Sequence, residues 1–194
     1  MKDYFEELVN KIHKRNDIII VDKCILKHQM DYSFDLFEYG ISDEVKYLYN
    51  NYKKFHFVWK EDAERIQGFI ELVPYEEILD KHREINEIAN SVEAGCIEEQ
   101  EIVINDLKNW YPIFRFPNGD AFCYDKRNGK IAFWEHEVFD TGINLNGLII
   151  AESIDYLLEN WSKVLFVDIY DWYEGVNESG IDLSKQIYSR FLRL

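Results

Sequence analysis

His136 stands between Glu135 and Glu137, and on a β-strand those two glutamates would share a face, as the ligands of a small metal site do. The remaining histidines, His13, His28, His56 and His82, are scattered along the chain. No second His or Cys lies at ligand spacing, so solvated charges at a strand end are the simpler reading. Asp120 and Asp125 form a second carboxylate pair, a combination that can hydrolyse glycosidic bonds. They flank a short strand pattern beside turns, which makes them turn caps first. No serine sits in a GxSxG elbow, no cysteine stands in a nucleophile context, and no GxGxxG or GKS/T phosphate loop occurs. The expectation is a protein that is not an enzyme, with no catalytic residue, metal ligand or cofactor.

Charge is the more informative property. The 194 residues carry 37 acids against 22 bases, a net charge of −15. Residues 131–182 hold eleven of the acids and one base, Lys163, so two-thirds of the net charge falls in about a quarter of the chain. Within that stretch, Asp168-Ile169-Tyr170-Asp171-Trp172-Tyr173-Glu174 interleaves carboxylates with aromatics. Large aromatics supply binding energy when desolvated, and carboxylates around them steer a basic partner. A core-facing stripe with a solvated acidic face explains the same pattern equally well. Both hold together if Ile169 and Trp172 point inward while Tyr170, Asp171 and Glu174 point out.

An acidic surface repels nucleic acid and anionic membranes alike, because binding to either relies on Lys and Arg. Here the basic runs are only pairs, such as Lys53-Lys54 and Lys126-Arg127. Neither direct nucleic-acid binding nor membrane binding is expected. Cys24, Cys96 and Cys123 are odd in number and widely spaced, which suggests reduced, mostly buried thiols of a cytoplasmic protein. The first residues lack the basic-then-apolar order of a signal peptide, and no apolar run approaches a transmembrane span.

The elements that must position these residues follow from periodicity. Tyr4, Phe5, Leu8, Val9 and Ile12 predict a helix over 3–15. Ile18–Val21 is a short β-branched run, and Ser42 is a candidate cap for a helix carrying Val45, Leu48, Tyr49 and Tyr52. Phe55–Trp59 and Gln67–Leu72 read as neighbouring strands. A helix follows Pro74 to about residue 93, and residues 94–106 form an acidic connection. Asn118-Gly119 and Asn128-Gly129 separate three aromatic-rich runs, which predicts an antiparallel meander at about 110–135 with one packed face. Gly147–Ala151 suggests a short strand, and Ser153 caps a helix with Leu157, Leu158 and Trp161. Val164–Tyr170 is ambiguous between helix and strand. A last helix is expected from Asp182 or Ser184, burying Ile187, Tyr188, Phe191 and Leu192. The fold class is therefore α+β, a single domain with a mostly antiparallel sheet flanked by helices.

The order of features carries a resemblance. Phe57-Val58-Trp59 and Gly68-Phe69-Ile70-Glu71-Leu72 lead to a helix near Glu76-Glu77-Ile78. Trp110-Tyr111-Pro112-Ile113-Phe114, Pro117-Asn118-Gly119-Asp120, Cys123-Tyr124-Asp125 and Gly129-Lys130-Ile131 follow, then Ala151-Glu152-Ser153-Ile154-Asp155-Tyr156-Leu157-Leu158. Over about residues 40–162 this resembles the SUKH superfamily of Smi/Knr-type proteins. The N-terminal 40 residues and an acidic C-terminal extension, 163–194, lie outside the resemblance. It implies an α+β fold without catalytic residues. It further implies, for a bacterial member, an immunity protein that neutralises a cognate polymorphic toxin, commonly a basic nuclease or deaminase domain. The cell-wall regulators of the same superfamily imply the alternative, a non-enzymatic regulatory or scaffolding adaptor. The candidate partner-binding residues are Asp168, Asp171, Trp172 and Glu174, with Glu135 and Glu137 secondary. The sequence leaves the oligomeric state open.

Overall fold

The computed structural model describes residues 3–27, 32–33, 41–61, 67–90, 106–136, 145–169, 171–189 and 191–192. Nine strands form one antiparallel sheet in the order β1-β2-β3-β4-β5-β6-β7-β9-β8. They are β1 (Ile18–Lys27), β2 (Tyr52–Glu61), β3 (Gln67–Leu72), β4 (Trp110–Arg115), β5 (Ala121–Asp125), β6 (Ile131–Trp134), β7 (Ile149–Ala151), β8 (Val176–Asn177) and β9 (Gly180–Ile181). Helices α1 (Tyr4–Ile12), α2 (Asp43–Asn51), α3 (Ile78–Asn90) and α4 (Ile154–Lys163) flank the sheet. The fold is a single-sheet α+β structure. No helix among the described residues is long and apolar enough to cross a membrane.

Local chemistry fixes the helix starts. The Asp3, Ser42 and Ser153 side chains accept from the backbone N–H of Glu6, Val45 and Tyr156, three residues on in each case. Each bond satisfies a donor that the first helical turn leaves orphaned. Both Asn-Gly turns form, but only the glycines enter the left-handed region, at φ +99° for Gly119 and +78° for Gly129. A two-residue type I′ turn would need positive φ at both central positions. These hairpins instead close as wider turns, with the Gly129 N–H donating to the Asp125 carbonyl at 2.8 Å.

The meander is packed on both faces. Phe114 and Phe122 join the main core with Phe5, Phe55 and Trp161. The small residues between them, Ala121, Cys123 and Ala132, do not face water but a second cluster with Trp110, Trp134 and Ile85 of α3. Small side chains there let α3 approach the sheet closely, so the expected single packed face is corrected to two. Burial in this layer pushes the Cys123 thiol pKa up and keeps it unreactive. Cys24 is half-buried on β1, and Cys96 lies outside the described residues.

Two further expectations change. Tyr52 opens β2 rather than ending α2, and the segment after Asp182 forms only a 3₁₀ turn, Gln186–Tyr188, in place of a helix. The Asp182 carboxylate closes a local turn by accepting from the Ser184 N–H at 3.0 Å and its hydroxyl at 2.6 Å. Tyr188 and Phe191 are buried as their spacing suggests, without a helix beneath them, whereas Leu192, expected on the same buried side, is exposed because no helix turns it inward.

The ambiguous stretch Val164–Tyr170 is neither helix nor strand where it is described. Leu165 and Phe166 adopt φ +58° and +54°, turning the chain sharply after α4. Two consecutive left-handed residues bearing side chains cost about 1–2 kcal/mol each. Two buried indoles hold them: Trp59 Nε1–H donates to the Leu165 carbonyl at 2.8 Å, and Trp161 Nε1–H to the Val167 carbonyl at 2.9 Å. Gly68, opposite Trp59 on β3, leaves room for that ring, since a Cβ there would overlap the indole. Trp161→Phe keeps most of the apolar volume but orphans a buried carbonyl. It should lower unfolding free energy by about 1–3 kcal/mol in denaturant titration; an unchanged midpoint would contradict the clamp.

Candidate partner-binding face

Two structural supports lie under the acidic segment. Beyond the left-handed turn the chain runs through Asp168 and Ile169, then a 3₁₀ turn, Trp172–Gly175, and the hairpin β8–β9. Gly180 of β9 pairs with Ala151 of β7, so the residues read as an extension are built into the sheet. The second support is Trp172, 2% exposed, whose ring lies 4.8 Å from Phe122 and 6.2 Å from Trp161. An indole so enclosed offers no ring to a partner. Trp172 is therefore corrected from contact residue to core anchor, and Ile169 points inward beside it.

The residues left outside are Asp171, Tyr173 and Glu174. Tyr173 is 42% exposed, and its hydroxyl pKa is raised by the charges of Asp171 and Glu174 on either side. Neither carboxylate is in a salt bridge among the described residues, so both charges are available to an incoming cation. Tyr173 is the exposed aromatic of this run, where Trp172 was expected. Its place in the interleaved run was visible in the sequence, but only the burial of its neighbour singles it out. Tyr170 and Glu137 lie outside the described residues.

Asp168 sits deeper. With Phe116, Pro117, Asn118, Asp120, Ile169 and Trp172 it lines a cleft of about 160 Å³. Its carboxyl pKa is pushed up to about 6, first by burial and then by the nearby Asp120 charge. Asp120 is spoken for: Oδ1 accepts from the His136 backbone at 2.9 Å and lies 2.8 Å from its Nδ1, while Oδ2 accepts from Asn118 at 2.6 Å. His136 is thus an Asp120 partner and a lock between β6 and the Asn118 turn. Groups of three or more metal-binding side chains are absent among the described residues.

The other candidates make local contacts. Glu135 Oε2 accepts from the Leu145 N–H at 3.1 Å, closing the loop before β7, so this half-buried glutamate is not a free surface charge. Asp125 is 4% exposed and accepts from Trp110 Nε1–H at 3.3 Å and from both the backbone and side chain of Arg127, which also binds Asp106. Burial raises its pKa, but the hydrogen bonds and charge of Arg127 outweigh this and lower it overall. Asp120 and Asp125 thus serve separate local networks. The sequence reading also passed over a second acidic hollow, lined by Asp43, Glu44, Tyr47 and Asp155 where α2 and α4 begin. Its carboxylates fall in the first turns of two helices, where the helix dipoles favour them.

Compared with known proteins, the chain matches no family model, no curated protein and no solved structure.

Asp168 binds its proton more tightly in the fold than in the unfolded chain. Its ionisation therefore opposes folding above about pH 6, by up to ~3 kcal/mol, and the cost fades as pH falls through 6 toward 4. Asp168→Asn should raise the melting temperature at about pH 8, with the gain shrinking to nothing below about pH 4. A gain independent of pH would contradict the assignment.

Proposed function

We propose that this protein is an immunity protein of the SUKH type, which binds and neutralises a cognate toxin whose active cleft is basic. The observation that carries the reading is the exposed Asp171-Tyr173-Glu174 trio, mounted on a buried tryptophan and in no salt bridge among the described residues. An aromatic flanked by unpaired carboxylates on a rigid turn suits a partner rich in Lys and Arg. Little conformational entropy is lost when the turn docks, and the charges steer the encounter. Asp168 and Asp120 add an acidic recess beside the trio, able to receive a guanidinium or ammonium group. The order of motifs over about residues 40–162 supports the family reading, and the net charge of −15 supports a basic target independently.

Co-expression with the product of the adjacent gene tests it. Rescue of an otherwise lethal neighbour, with a complex that co-purifies, is the expected result. A toxic neighbour with neither rescue nor complex would remove it as the target, and a harmless neighbour that still binds would favour the regulatory adaptor.

Within such a complex, Asp171→Lys with Glu174→Lys should slow association about tenfold or more and flatten its salt dependence. Trp172→Ala should instead lower the melting temperature sharply, because it empties a core position. A cation bound at Asp168 favours the ionised carboxylate, so affinity should rise from about pH 5 to pH 7 and the rise should vanish in Asp168→Asn. Binding kinetics across salt and pH check all three.

A further inference from the structure

The sheet face that packs on α3 carries a hollow that the helix does not fill. Along one row of that face, Arg115 of β4 and Trp134 of β6 stand on either side of Ala121 of β5, in direct register with it. A methyl group between two long side chains leaves a pit above β5. α3 lies across this face through Ile85, and Lys81 and Glu84 fall on the same side of the helix as Ile85. The turn before β5 adds no bulk: Gly119 has φ +99°, and a Cβ there would come within 3.1 Å of the His136 ring. These features together enclose a pocket of about 250 Å³.

The floor of the pocket is apolar, made by Val73, Ile85, Pro112, Phe116, Ala121 and Trp134, all buried. The charged groups that line it, Lys81, Glu84, Arg115 and His136, are less buried and already engaged. Lys81 Nζ lies 2.7 Å from Glu84 Oε2, and Arg115 donates to Glu71 at 2.8 Å and to Glu77 at 3.1 Å. His136 Nδ1 lies 2.8 Å from Asp120 Oδ1. A charged ligand would have to break one of these pairs or be buried without a partner, and either is costly. Water is held weakly over such a floor, because a buried water needs several polar partners. An apolar cavity of about 150 Å³ takes a benzene ring, so this one has room for two fused rings. The Phe116 and Trp134 rings in its wall favour a flat aromatic occupant.

We propose that this pocket binds a small neutral aromatic molecule of one or two fused rings, seated over Ala121 against Trp134 and Phe116. Its rim of ion pairs discriminates against charged analogues of the same ring. The site is distinct from the acidic face: among the described residues, only Phe116 lines both this pocket and the Asp168 cleft. The proposal therefore stands whether or not the protein neutralises a toxin.

Indole is the probe, titrated into the full chain while proton–carbon correlation spectra of the methyl groups are recorded. Saturable shifts of the Ala121 and Ile85 methyls are expected, with a dissociation constant below about 1 mM. An indole carboxylate, which adds a charge to the same ring, should bind about tenfold more weakly. Ala121→Leu places a larger side chain in the pit and should abolish the indole shifts at Ile85. Should that variant fail to fold, the wild-type titrations decide alone. Absence of saturable shifts, shifts confined to methyls away from the pocket, or a carboxylate that binds as tightly as indole would each overturn the proposal. So would indole binding that is unchanged in a folded Ala121→Leu.

Discussion

Everything on the acidic side of this protein hangs from a backbone turn that its own sequence disfavours. Leu165 and Phe166 carry side chains into the left-handed region, and both are buried. The turn is over-determined from several directions. Indoles from β2 and α4 take the carbonyls of Leu165 and Val167, the Phe166 carbonyl accepts from the Phe69 N–H of β3, and the Phe166 N–H returns to Trp161. Strain of this kind persists only where surrounding packing holds it. Its result is a fixed exit direction for the chain after α4, which seats Trp172 in the core and leaves Asp171, Tyr173 and Glu174 outside.

Charge and burial divide the acidic residues into two groups. Some have internal cations: Asp125 with Arg127 and Glu159 with Lys163 close local contacts, and Glu152 with Lys130 joins segments 22 residues apart. Among the described acids without a salt bridge, Asp171 and Glu174 lie on the turn after α4 and Asp168 in its recess. Surface ion pairs contribute little to stability, so the unpaired group costs the fold little and remains available for binding. Asp168 is the exception, because its carboxylate is held partly out of water beside another acid.

The sequence carried the elements whose chemistry is local. The Asn-Gly pairs, the caps Ser42 and Ser153, and the alternation through Phe114 and Phe122 each act within a few residues, and the structure has the meander and helices they imply. It did not carry what depends on distant partners. Nothing near Val164 announces a left-handed turn, because the groups that hold it come from Trp59, over a hundred residues earlier, and from Trp161. The second core layer was hidden for a similar reason. Ala121, Cys123 and Ala132 read as gaps in an apolar stripe until α3 is laid across them. At the candidate site the interleaved run was legible in kind. Which aromatic turned inward was set by the cavity between Phe122 and Trp161, so the sequence favoured the larger ring and the fold exposed the smaller one, Tyr173. Glu135 looked like a surface charge because its acceptor role depends on the returning loop at Leu145.

The most direct test is hydrogen exchange on the protein with and without the proposed basic partner. The account predicts new protection concentrated in the backbone of the Trp172–Gly175 turn and the β8–β9 hairpin, with α3 and its side of the sheet unchanged. Protection confined to α3 and β6, with the turn exchanging as in the free protein, would contradict it.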